Sequence, residues 1–111
     1  MSRTDSRSPT PGTTLEHYDL HRRNPYRDRF TTLNFGPDGP FRMVSLAIPA
    51  GKALGDHRAP SPACLVMIEG RGLFFSGNTR IELTPGTVVD VPADQTHRIE
   101  ALDDCHFVLV R

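Results

Sequence analysis

From Phe30 onward the apolar residues come in short runs rich in Val, Ile, Leu, Phe and Thr, each closed by Gly, Pro, Asn or Asp. The runs are FTTLNF (30–35), FRMVSLAI (41–48), ACLVMIE (63–69), GLFFS (72–76), TRIEL (79–83), TVVDV (87–91), HRIEA (97–101) and CHFVLV (105–110). β-Branched and aromatic residues in runs of this length, punctuated by turn formers, predict strands. Between Phe30 and Pro92 no window runs free of Gly and Pro long enough for an amphipathic helix. Eight strands at a spacing of about 8 to 12 residues predict an all-β sandwich or barrel. The Gly77-Asn78 pair between two runs predicts a tight hairpin turn.

Upstream of Phe30 this pattern dissolves. Residues 15–29 are charged, with apolar Leu15, Tyr18 and Leu20 thinly spread, and Pro25 stops any helix begun there. Residues 1–14 have Met1 as their only apolar side chain, too little to offset the entropy of ordering. A disordered tail over 1–14 and one barrel domain over 15–111 are expected.

Composition narrows the function classes. A chain of 111 residues is long enough for one domain and too short for two, and its 37 % apolar content suffices for a small core. The 13 basic and 13 acidic residues cancel, so nothing in bulk charge draws the chain to nucleic acid or to an anionic membrane. The longest apolar stretch, Ala63 to Ile68, is far below the roughly 20 residues of a membrane span. Cys64 and Cys105, with no apolar leader after Met1, read as buried or free thiols of a soluble, cytoplasmic protein rather than as a disulfide.

Two stretches place turn residues and histidines at fixed offsets, PAGKALGDHRAPSPACLVMIEG (49–70) and PGTVVDVPADQTH (85–97). Here the chain resembles the cupin family. Gly51, His57 and Gly70 fall at the spacing of the first cupin motif, and Gly86, Pro92 and His97 at that of the second. The resemblance implies a small jelly-roll β-barrel. It also implies a divalent transition metal (Zn, Mn, Fe, Ni or Cu, which the motifs do not distinguish) with His57 and His97 as its ligand candidates.

The departures matter equally. Ala59 stands where the first motif has its second His, Ala63 where it has Glu, Asp94 at the second motif's Gly and Ala101 at its closing Asn. Two imidazoles alone leave most positions of a metal to water, substrate or other side chains, which weakens affinity. The same pair serves a metal-free pocket, where one imidazole donates and the other accepts a hydrogen bond.

Nearby groups read as ordinary structure. Strand alternation turns Cys64 outward if Ala63 faces inward, and places His106 outside because Cys105, Phe107 and Leu109 form the more apolar set of the last strand. Asp56, Glu69 and Asp94 border turns and are expected as solvated carboxylates. His17 and His21, four apart, lie in the charged upstream segment and read as surface groups outside the site.

Two functions from different classes follow. One is a small cupin that binds a divalent metal, a small polar organic ligand, or both through His57 and His97, with metal-dependent catalysis as its extension. The other is a metal-free ligand-sensing or scaffold cupin without catalytic activity. A homodimer is expected, since a barrel of this size gains from covering a sheet edge.

Overall fold

The computed structural model describes residues 15–111, so the tail expected over residues 1–14 lies outside the described residues. Among the described residues there are nine strands: β1 (Thr31–Phe35), β2 (Met43–Ile48), β3 (Ala53–His57), β4 (Ala63–Glu69), β5 (Gly72–Ser76), β6 (Thr79–Leu83), β7 (Val88–Val91), β8 (His97–Ala101) and β9 (Cys105–Val110). They build two antiparallel sheets, ordered β1-β2-β9-β4-β7 and β3-β8-β5-β6, that face each other as the two halves of a jelly roll. Eight strands fall on the hydrophobic runs. The ninth, β3, carries no such run because it is an edge strand of the four-stranded sheet, mostly exposed, with only Leu54 packed on the core.

Alternation sorts the core. Leu46 and Ile48 of β2, Leu65 and Met67 of β4, Ile99 of β8, and Cys105 and Phe107 of β9 all point inward and are almost wholly buried. Phe107 pairs in register with Leu46 on one side and Met67 on the other. Each such side chain contributes about 1.5–3 kcal/mol by leaving water. A slip of one residue would turn the whole inner row outward.

Two glycines carry turns that a side chain would spoil. Gly77 takes a φ of 56° between Ser76 and Thr79 while Asn78 stays at negative φ, the type II′ arrangement suited to a two-residue hairpin. Gly70, at a φ of 91°, lies so close to the β8–β9 connection that a Cβ would sit 2.1 Å from the Asp104 carbonyl oxygen. Asp94 keeps a φ of 61° at the position where the second cupin motif has glycine. Asp is among the few side chains that tolerate this left-handed conformation, so the substitution leaves the turn intact.

The upstream segment is more ordered than its composition predicts. A one-turn helix α1 (Leu20–Arg23), capped by Asp19, leads into Asn24, which is buried. The Asn24 side-chain amide donates to the Ser45 and Thr31 carbonyls and accepts from the Thr31 hydroxyl. These bonds strap residues 19–31 across the outer face of β2 and β9. No helix among the described residues is long and apolar enough to cross a membrane.

The strap corrects the expectation for Glu69 and adds to the one for His106. His106 does face the outside of the barrel, as alternation predicts, yet it is fully buried rather than in water. Its Nε2 hydrogen-bonds with the Ser45 hydroxyl, its ring lies against His21 and Tyr26, and its Nδ1 has no partner. Glu69 is not simply solvated: it accepts from the Tyr26 hydroxyl at 2.6 Å and from His21 Nε2 at 3.0 Å. His21 is therefore a half-exposed tie of the strap, whereas His17 is exposed as expected. Contacts spanning more than 40 residues leave no local signal in the sequence.

Acid acts on this cluster with a definite sign. Burial, reinforced by His21, pushes the His106 pKa below its ordinary 6.5, and the Tyr26 hydroxyl, followed by His21, holds Glu69 below the usual carboxylate range. In both cases the unfolded chain binds the proton first, so stability present at neutral pH is lost as pH falls, from about 6.5 for His106 and further below about 4.5 for Glu69. Urea unfolding at pH 7 and pH 5.5 is expected to show this loss in the wild type and a flatter dependence in His106→Gln; parallel curves would contradict it. Gly70→Ala is expected to cost on the order of 3 kcal/mol, from positive φ and backbone overlap together. A midpoint within error of wild type would contradict that.

Candidate functional site

The cavity between the two sheets is small, about 40 Å³, which is space for roughly three waters. Its walls are aliphatic, with Leu46, Leu54, Leu65, Val91, Ile99 and Leu109 among the lining residues. Ala59 and Ala63 line it too, so the two positions vacated by the motif's second His and its Glu present methyl groups to the same space. The polar side chains on the lining are Ser61, His57, His97 and Arg111.

His57 and His97 occupy one register position across the β3–β8 pair. Leu54 and His57 are three apart and by strict alternation would face opposite sides. An irregularity between them, pairing Leu54 with Ile99 and His57 with His97, absorbs the extra residue and returns His57 to the inner side. The two rings meet edge to face with centroids 4.7 Å apart. His97 is buried at 9 % exposure, stacked on Phe74 at 5.3 Å, and its Nδ1 lies 3.1 Å from the Gln95 carbonyl oxygen. A carbonyl only accepts, so Nδ1 carries the hydrogen and Nε2 is the nitrogen free for a ligand. Gln95 is itself anchored by donating to the Ser76 hydroxyl, which donates to the Thr96 carbonyl. The His57 pKa is pushed below its ordinary value by burial first, then by His97 and by the positive charge of Arg111. At neutral pH His57 is uncharged.

Arg111 is the residue that motif reading passes over. Its signal is nonetheless present, because it continues by one step the inward set Cys105, Phe107 and Leu109. Of the other groups weighed from the sequence, Cys64 sits on the outer side of β4, paired with Asp90 and away from this cavity. Cys105 is a buried free thiol, pushed up to about 11 chiefly by burial, and donates to the Arg71 carbonyl. Neither Asp56 nor Asp94 lines the cavity.

The donor set does not suit the divalent metal that the motif resemblance implies. The cavity offers two imidazoles and no carboxylate, and the further charge felt by His57 is a cation. Among the described residues no three His, Cys, Asp or Glu side chains are placed to share an ion.

No protein-family model and no curated protein matches this sequence. Solved structures do match. A cupin superfamily protein from Desulfitobacterium hafniense superposes with a TM-score of 0.76 at 13 % identity, over 88 % of this chain and 91 % of that one. A cupin 2 conserved barrel domain protein from Salinispora arenicola gives 0.74 at 20 % identity, over 88 % of both chains. The DMSP lyase DddQ from Ruegeria pomeroyi gives 0.65 at 26 % identity, over 75 % of this chain and 46 % of that one. Two facing antiparallel sheets, the landmark glycines at their turns and these superpositions agree: the chain folds as a cupin barrel.

Proposed function

We propose that this barrel binds a small organic molecule, with its apolar part among the aliphatic walls and its polar end on His57 and His97. The observation that carries the reading is the paired imidazoles, 4.7 Å apart, in a cavity otherwise lined mainly by hydrocarbon. Small-molecule sites are built this way, from a mostly apolar lining and a few convergent polar groups. The Phe74 stack and the Gln95 carbonyl fix the orientation of His97 before any ligand arrives, which lowers the ordering cost of binding.

A second reading adds turnover. An imidazole in contact with a bound molecule can remove and return a proton, since histidine ordinarily titrates near neutrality. The lyase from Ruegeria, which shares the barrel, supports that extension.

Thermal unfolding in the presence of small carboxylates, sugars, ketones and divalent metal salts tests the binding reading. At a hundred times its Kd a ligand adds about 2.7 kcal/mol, on the order of 10 °C for a domain of this size. One organic class is expected to give such a shift in the wild type and to lose it in His57→Ala and in His97→Ala. Equal shifts in wild type and both variants, or shifts with divalent metals alone, would overturn the reading. Chromatography of the stabilising compound after incubation separates the two readings, since a binder returns it unchanged.

A further inference from the structure

We propose that the molecule taken by this cavity is a small monocarboxylate, its carboxylate received between the Arg111 guanidinium and the His57–His97 pair. The inference rests on the ligand-binding reading above and narrows it from any polar head group to an anionic one.

The backbone places Arg111. Its N–H donates to the Arg42 carbonyl at 2.9 Å, and its carbonyl accepts from the Arg42 N–H at 2.6 Å. This pairing extends the β2–β9 ladder by one step, so alternation continues from Leu109 to Arg111 and both line the same cavity. Arg111 lies close enough to His57 for its charge to act on that imidazole.

Charge balance then selects the ligand. No Asp or Glu lines this cavity among the described residues, so the guanidinium at its exposed edge has no counter-ion from the cavity wall. A planar carboxylate matches a guanidinium fork with two hydrogen bonds. A neutral head group leaves the cation unmatched, and a metal dication adds to it. The size of the cavity selects the rest. Space for roughly three waters, continued toward the exposed edge at His57, suits an acid of about three to five carbons.

Titration calorimetry on the full chain, with butyrate and its neutral amide butyramide as probes, decides the matter. Wild type is expected to bind butyrate at least about tenfold more tightly than butyramide. Arg111→Gln is expected to abolish that preference and Arg111→Lys to keep part of it, both folding as wild type because the position is exposed. If the two probes bind equally, His57→Ala abolishes both and Arg111→Gln changes neither, the anionic assignment falls while the ligand-binding reading stands. Butyrate binding unchanged in both His57→Ala and Arg111→Gln would place it elsewhere and overturn the proposal. If neither probe binds and no organic class stabilises the protein, both fall.

Discussion

Phe107 lies between Leu46 and Met67 at the centre of the five-stranded sheet, and this contact settles which face of each neighbouring strand is inside. A fully buried aromatic ring cannot be turned out without opening a cavity on both sides, at a cost of about 3–5 kcal/mol. With Phe107 inside, period two puts Cys105, Leu109 and Arg111 on the inner side and His106 on the outer one. The same register thus separates two clusters of chemistry. Arg111 lines the cavity of the paired imidazoles from its exposed edge, and His106 is left to be covered by the strap.

The fold was legible because its strands obey alternation and its turns need particular residues. The runs at 63–69, 72–76 and 105–110 are strands at those bounds, and Gly70 stands where any side chain would collide with backbone. The strand β3 was not legible, because an edge strand with one buried side chain has no hydrophobic run, and because its irregularity breaks the alternation that would identify it. Motif spacing found His57 and His97 regardless of that break, since a motif records where residues end up rather than which face a regular strand would give them. Arg111 was within reach of the alternation argument. The ties of Glu69 to Tyr26 and His21 were not, since nothing local to Glu69 announces a partner some 40 residues away.

The two histidine clusters show how surroundings alone divide one side chain into different roles. His106 is sealed under residues 19–31, with one nitrogen on Ser45 and the other without a partner, so its proton chemistry bears on stability. His57 stands at an exposed edge beside a cation and a second imidazole, so its proton chemistry is open to a ligand. Burial lowers the pKa of both, and only access separates a structural group from a binding one. The alanines at 59 and 63 act on the same balance: with methyl groups in place of two further ligands, the cavity depends on Arg111 and the imidazole pair for its electrostatics.

The most direct test of the account is the pH titration of the imidazole resonances in histidine-labelled protein, followed by NMR with and without saturating butyrate. The account predicts that the His57 resonance titrates below the ordinary histidine range in the free protein and that butyrate moves its midpoint upward, while His106 keeps its own. A His57 midpoint that stays put or moves downward on adding butyrate would contradict the claim that the paired imidazoles and Arg111 receive an anionic head group.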